Sequence, residues 1–145
     1  MSAQENSEVH RRFYEVYNHK DLEAVGELLT DDFVAHFGNM TLDREGYFGF
    51  VNSFFAAFPD LQNTVEEQVA EEDKVSTLST WRGTHQGEFL GVPPTGKQIT
   101  FTAFGLSRFA DGKIAEHTFL GDMLGVLQQF GAVPPAGQSE EASPT

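Results

Sequence analysis

The chain has 145 residues, 39% apolar and 21% charged, which is typical of one globular domain with one core. Its 9 Lys and Arg against 22 Asp and Glu give a formal net charge of −13, which argues against nucleic acid and anionic membranes as partners. It has no cysteine, so we expect no disulfides, thiolate metal ligands or cysteine nucleophiles. It has no apolar run near the roughly 20 residues that span a bilayer, and its polar N-terminus lacks an apolar secretory signal, so we expect a cytoplasmic protein.

The N-terminal part of the chain is predicted to be mainly helical. Apolar side chains at positions 9, 13, 16 and 17 recur at helical spacing and predict a first helix over about 5–19. Asp21 is placed to cap a second, short helix whose apolar side extends through Leu28 and Leu29. A short strand over 33–37 is expected after this helix.

The hydrophobic period changes from helical to strand-like in the middle of the chain. A turn over 39–43 leads into a third helix over 44–58, which Pro59 ends. Downstream, β-branched and aromatic residues are enriched in four predicted strands, over 65–70, 75–82, 98–109 and 113–120. Asp111-Gly112 lies between the last two strands and is a strong hairpin signal.

The order of these elements predicts the fold class. A last short helix is expected over 123–130, ending at Gly131, and residues 134–145 are expected to be a flexible tail after a single domain over 1–133. Helices followed by a meander indicate an α+β fold, with helices packed on one face of a strongly curved, mainly antiparallel sheet that forms a cone-shaped barrel. With 14 Phe, 3 Tyr and 1 Trp, the inside of the cone is either a solid core or a pocket for a small hydrophobic molecule.

Five sequence blocks carry a resemblance to a known family. They are FYEVYNHKDLEAVGELLTDDFVAH, AAFPDL, RGTHQGEFLGVPPTGK, RFADGKIAEH and GDMLGVLQQFGAVP. In this order they resemble the SnoaL-like polyketide cyclases, also called ester cyclases, from about Val9 to Pro134. These proteins share the cone-shaped fold of nuclear transport factor 2 and ketosteroid isomerase.

The resemblance implies a reaction and a catalytic group. The reaction is an intramolecular aldol condensation of a hydrophobic, carbonyl-rich molecule, with no metal and no organic cofactor. The acid/base carboxylate falls on Asp122, and desolvation raises the pKa of such a carboxyl toward neutrality. The residues alone favour Asp122 as the N-cap of the last helix, and the catalytic role is what the resemblance implies. Because this fold also hosts isomerases, epoxide hydrolases, hydroxylase components and non-catalytic binders, those alternatives stay open.

Strand alternation determines what accompanies Asp122. If it points inward, Thr118 shares its face and His117 points outward. Family members commonly carry Trp where Thr118 stands. Studied cyclases also use a histidine on the neighbouring strand, whereas the segment 98–109 has none and Arg108 is its only cation. The partner role is therefore absent, moved or taken by Arg108. We predict His36, at the end of the first strand, as the second catalytic residue, with a surface or half-buried histidine as the alternative.

The predicted substrate contacts combine helix aromatics with residues of the strands and the long loop. They are Tyr14, Phe50, Phe54, Trp81, His85, Arg108 and Thr118. A helical aromatic stripe is also an ordinary core feature, and His85 alternatively pins its own loop. Trp81 and Arg82 take opposite faces, and the pattern leaves open which one lines the cone. The outer face of the sheet is expected to bind a second copy of the chain in a homodimer.

Overall fold

The computed structural model describes residues 2–134, so the predicted tail lies outside the described residues apart from Pro134. The helices are α1 (Ala3–Tyr17), α2 (Leu22–Glu27), α3 (Arg44–Ala57) and α4 (Met123–Phe130). The strands are β1 (Leu29–Phe37), β2 (Met40–Asp43), β3 (Gln62–Glu71), β4 (Lys74–Thr84), β5 (Gln98–Ala110) and β6 (Lys113–Gly121). No helix within residues 2–134 is both long enough and apolar enough to cross a membrane.

The six strands form one curved, open sheet in the order β2-β1-β6-β5-β4-β3. The predicted meander is confirmed, because β3 to β6 pair antiparallel with their neighbours in sequence. β1 pairs parallel to β6, and β2 pairs antiparallel to β1 at the edge. The helices pack on this sheet, which confirms the α+β class.

Two predicted boundaries near the first strand are wrong. Leu28 is the C-cap of α2, and Leu29 already pairs with Ile114 of β6. Here strand pairing overrides the apolar helical spacing, as tertiary context commonly does. The predicted turn over 39–43 contains strand β2, which follows a reversal at Gly38, where φ is +60°.

Short local signals determine several element ends, although α1 lies two residues earlier than predicted and β3 is longer than the predicted strand over 65–70. Asp21 and Asp43 accept hydrogen bonds from the first turns of α2 and α3 as N-caps. Gly131 ends α4 in the left-handed region at φ +84°. Asp111 and Gly112 both have positive φ, 52° and 80°, which is the backbone of a two-residue hairpin.

The core lies between α1, α3 and the concave face of the sheet. Strand β5 alternates strictly between buried and exposed residues, so Phe101 and Ser107 face the helices while Phe104 and Leu106 face outward. The outer face keeps large apolar side chains exposed, with Phe104 at 58% and Leu120 at 60%. The concave face also carries buried polar side chains, which is unusual for a hydrophobic core.

Candidate functional site

An aromatic-walled cavity lies between α1, α3 and the concave face of the sheet. Its volume is about 60 Å³, well below the roughly 300–1,000 Å³ of typical ligand pockets. Its lining comprises Phe13, Tyr14, Tyr17, Ala35, His36, Phe37, Leu42, Tyr47, Phe50, Val51, Phe54, Phe55, Leu61, Trp81, Phe101, His117 and Phe119.

Four of the predicted substrate contacts lie on this wall. Tyr14 comes from α1, Phe50 and Phe54 come from α3, and Trp81 comes from β4. Trp81 Nε1 donates a hydrogen bond to Ser79 Oγ at 2.8 Å, while the next side chain along the strand is exposed. The alternation at positions 81 and 82 therefore places the tryptophan inside.

The Tyr14 hydroxyl is one polar group of this wall that lacks a hydrogen-bond partner. Its oxygen is buried and makes no hydrogen bond within residues 2–134. Burial raises the pKa of Tyr14, with a further increase from Tyr47, so the phenol keeps its proton. The Ser79 hydroxyl is close enough to lower this pKa in part, but it lies outside hydrogen-bonding geometry. A Cβ at Gly105 would overlap this hydroxyl and would lie 2.9 Å from His117 Cε1. Gly105 therefore allows both side chains to pack against the same point of β5.

His36 touches the cavity, but its ring is bound elsewhere. Nε2 lies 2.6 Å from Glu116 Oε2, and Nδ1 lies 3.3 Å from Thr41 Oγ1. Arg108 is exposed and reaches the same carboxylate, with Nε 3.5 Å from Oε1. The hydrogen bond from His36 lowers the pKa of Glu116, and Arg108 lowers it further. Arg108 does not line the cavity. Its role in substrate binding and the catalytic role of His36 stay predictions.

The expected inward orientation of Asp122 is wrong. Its side chain is exposed, and Oδ1 accepts a hydrogen bond from Gly125 N at 2.9 Å as the N-cap of α4. The alternative interpretation as a helix cap is therefore confirmed. On β6, His117 and Phe119 line the cavity and Thr118 does not, which is the reverse of the predicted facing. Whether Asp122 acts in catalysis stays a prediction.

His85 lies outside the cavity and holds its own loop. It is fully buried and stacks on Phe130, with ring centroids 3.8 Å apart and an interplanar angle of 11°. Its Nδ1 lies 2.9 Å from Thr95 Oγ1 and accepts a hydrogen bond from Thr95 N at 3.2 Å. The expected cavity contact is wrong, and the loop-pinning alternative fits the observed contacts.

A polar chain that sequence reasoning missed, buried except at its half-buried first member, ends at the cavity wall. It runs from Gln68 of β3 through Thr77 of β4, His10 of α1 and Ser107 of β5 to His117 of β6. His10, Thr77 and Ser107 are fully buried, and His117 is 2% exposed. We call these five side chains the buried polar chain.

Burial controls the charge of both histidines in this chain. It lowers the pKa of His117 to about 3. It lowers the pKa of His10 to about 2, with a smaller contribution from the neighbouring His117. Both rings are therefore neutral at physiological pH. The signal in the sequence is their position: His10 lies one turn before Phe13 and Tyr14, and His117 alternates with Phe119.

Within residues 2–134, no three His, Asp or Glu side chains converge on a point that could hold a metal ion.

Comparison with known proteins places this fold in a family. Residues 7–130 match the family described as SnoaL-like polyketide cyclase. A nogalonic acid methyl ester cyclase from Streptomyces nogalater is 33% identical over 73 residues, which are 46% of this chain and 54% of that protein. The chain therefore matches about half the length of this relative.

Two crystal structures extend the similarity to nearly the whole chain. IdmH from Streptomyces antibioticus, described as a candidate polyketide cyclase, is 38% identical with a TM-score of 0.78, and the match covers 87% of this chain and 98% of IdmH. AclR from Streptomyces galilaeus, described as a candidate hydroxylase, is 32% identical with a TM-score of 0.85, and the match covers 92% of this chain and all of AclR. Because the family match takes in most of the residues that build the sheet, the helices and the cavity wall, this chain belongs to the SnoaL-like polyketide cyclase family.

Proposed function

We propose that the protein closes a ring in a small, hydrophobic, carbonyl-rich molecule by intramolecular aldol condensation. The observation that carries this proposal is the cavity itself, whose wall is aromatic on the α3 side and includes Tyr14 and His117 on the other. Flat conjugated rings pack well against such a wall. The cyclase name of the Streptomyces nogalater relative supports the same class of substrate.

The chemistry suits a site of this kind. A carbon next to an ester loses a proton, its electron pair forms a bond to a ketone carbon, and the ketone oxygen takes up a proton. The product is an isomer of the substrate, so the reaction needs neither oxidant nor reductant. A donor near the ketone oxygen stabilises the negative charge that develops there. Tyr14 is such a donor because its phenol stays protonated and its hydroxyl has no partner of its own.

Binding requires the cavity to enlarge. Its present volume is below the roughly 150 Å³ that accommodates a single benzene ring in an engineered core cavity, and a fused-ring substrate is several times larger. Phe50 is only partly buried and contacts Phe37 with ring centroids 4.7 Å apart. We expect the α3 side of the wall to move outward when the ligand enters.

The direct test is turnover of nogalonic acid methyl ester by the purified protein, without added metal, reductant or cofactor. We expect a product of unchanged mass that has lost one ketone, detected by mass spectrometry and NMR. Val51→Phe narrows the cavity and should lower turnover about tenfold or more. Val69→Phe makes the same change on the exposed part of β3 and should leave turnover unchanged. Absence of an isomerised product with the wild-type protein would contradict the proposal.

A hydroxylase is the second candidate, favoured by the description of AclR. A hydroxylation adds the mass of one oxygen atom and depends on an oxidant, whereas the aldol reaction proceeds unchanged under argon. The same assay, run aerobically with reductant and anaerobically without it, separates the two reactions.

We further propose that two copies of the chain associate through the outer face of the sheet. Phe104 of β5 pairs directly with Leu120 of β6, and Leu106 lies one outward position further along β5. These three side chains are about half exposed and form one apolar area on a protein with a strongly negative charge. The cytoplasmic location expected from the sequence stays a prediction, which cell fractionation would check.

A further inference from the structure

The donor and the acceptor of each hydrogen bond in the buried polar chain can be assigned, because the chain begins at a backbone carbonyl. Gln68 Nε2 donates to Ser7 O at 2.8 Å, and a carbonyl oxygen can only accept. The amide nitrogen therefore faces Ser7, and Gln68 Oε1 faces Thr77. Thr77 Oγ1 donates its single proton to Oε1 at 2.9 Å. The threonine oxygen is left as an acceptor for its other neighbour.

The same assignment determines which nitrogen of His10 carries the proton. His10 Nδ1 lies 2.7 Å from Thr77 Oγ1 and donates to it, because the threonine proton is already used. A neutral imidazole carries one proton, so His10 Nε2 is an acceptor. Ser107 Oγ lies 2.8 Å from Nε2 and donates to it. The serine proton is then used as well.

The last bond determines the tautomer of His117. Ser107 Oγ lies 2.7 Å from His117 Nδ1 and can only accept, so Nδ1 carries the proton of this ring. His117 Nε2 is left with a free lone pair, and it has no hydrogen-bond partner within residues 2–134. The ring lines the cavity beside Tyr14 and Phe119. His117 thus brings one acceptor, Nε2, to the cavity wall, and the Tyr14 hydroxyl, which is packed against Gly105, is a donor that a ligand reaches once the cavity enlarges.

We propose that His117 Nε2 accepts the substrate proton, and that Ser107, His10 and Thr77 are positioning residues that hold His117 in this tautomer. The inference rests on the proposed cyclase function and assigns its base. The C–H proton next to the ester passes to Nε2, and the electron pair of that bond forms the new C–C bond to the ketone carbon. The ketone π electrons move to its oxygen, which Tyr14 hydrogen-bonds and which then receives the proton from Nε2. Atoms and charge balance without a co-reactant.

The substrate class follows from these two groups. A ligand that fits presents an acidic C–H or an enol hydroxyl to His117 and a carbonyl oxygen to Tyr14, on a largely apolar ring system.

The test has a part that needs no substrate. In protein labelled with ¹⁵N-histidine, long-range ¹H–¹⁵N spectra at neutral pH distinguish the two neutral tautomers and the imidazolium. We expect His117 as the Nδ1–H tautomer. An Nε2–H tautomer or an imidazolium at position 117 would overturn the inference, whatever the protein catalyses.

Two matched variants test the direction of the chain. Thr77→Val keeps the side-chain shape and removes the hydroxyl that accepts from His10 Nδ1. We expect the His10 proton to move to Nε2, which then donates to Ser107 Oγ. The Ser107 hydroxyl proton in turn points to His117 Nδ1. The tautomer of His117 should therefore shift toward Nε2–H through two intervening residues. Ser79→Ala removes a buried hydroxyl of the same strand that lies off the chain and should leave the tautomer unchanged. An unaltered tautomer in Thr77→Val would contradict the positioning roles.

Turnover separates this inference from the proposed function. With nogalonic acid methyl ester, loss of a general base should lower kcat by about 10²- to 10⁴-fold in His117→Gln, and Ser107→Ala should lower kcat with KM little changed while His117 is still present. Near-wild-type kcat in both variants would refute the base role of His117. No product from the wild-type protein would instead contradict the cyclase function and leave the tautomer result to decide the arrangement.

Discussion

Replacing Tyr14 by Phe should make the protein more stable and less active. The Tyr14 hydroxyl is buried without a hydrogen-bond partner, whereas the rest of the side chain is packed and 1% exposed. A buried polar group without a partner costs roughly 1–3 kcal/mol, and the substitution removes only the oxygen. Allowing for the small space left behind, we expect a gain of about 1 kcal/mol, or about 3 °C in Tm for a domain of this size.

Tyr17 provides the matched control for this prediction. Its hydroxyl is equally buried but bonds the Tyr47 hydroxyl, so Tyr17→Phe leaves Tyr47 without its partner. That variant should lose about 1 kcal/mol. Urea and thermal unfolding measured by circular dichroism would give both values, and a destabilised Tyr14→Phe would refute the reasoning, because it would mean that the hydroxyl has a partner in the folded protein.

The same substitution should lower activity. If the Tyr14 hydroxyl stabilises the developing oxyanion, its removal should reduce kcat by about 10²-fold or more. A variant that is at once more stable and less active distinguishes a functional hydroxyl from a structural one. Unchanged kcat in Tyr14→Phe would mean that the ketone oxygen does not lie beside this group.

Three further predictions follow from the placement of individual residues. Asp122→Asn keeps an N-cap and should leave stability and kcat nearly unchanged, whereas Asp122→Ala should cost about 1 kcal/mol in unfolding experiments; a large loss of kcat in the Asn variant would restore the carboxylate as the acid/base. Phe104→Glu should convert a dimer into a monomer in light-scattering measurements while Val69→Glu does not, and an unchanged mass in both would contradict the outer-face interface. Because burial lowers the pKa of His10 to about 2 and of His117 to about 3 from 6.5, the unfolded chain binds protons that the folded chain does not. Their contribution to the free energy of unfolding is complete above about pH 6.5 and is lost as the pH falls toward 3, by up to about 1.4 kcal/mol per pH unit for each histidine. Equal free energies of urea unfolding at pH 7 and pH 5 would contradict their burial as neutral rings.

Local signals made much of the fold predictable. The last helix has the predicted bounds because an Asp caps its start and Gly131 ends it. The final hairpin turns at Asp111-Gly112, since the backbone there needs two positive φ values. Strand β2 was missed because it is a four-residue edge strand with little burial, so its side chains show no alternating pattern.

The candidate site was harder to predict because alternation groups residues by face without saying which face is inside. Placing Asp122 inward reversed the whole of β6, and His117 moved to the outside in the prediction. The opposite assignment depends on α1, which places His10 on the concave face as the hydrogen-bond partner of Ser107, and Ser107 in turn binds His117. Such a contact joins residues about 100 positions apart in the sequence, and no local pattern encodes it.

A crystal structure of the protein soaked with nogalonic acid methyl ester tests the central claim most directly. We predict that the rings occupy an enlarged cavity between α3 and the sheet, with a ketone oxygen within hydrogen-bond distance of the Tyr14 hydroxyl and the acidic carbon beside His117 Nε2. A ligand bound against the exposed Asp122 side chain, with the cavity still closed, would contradict the account.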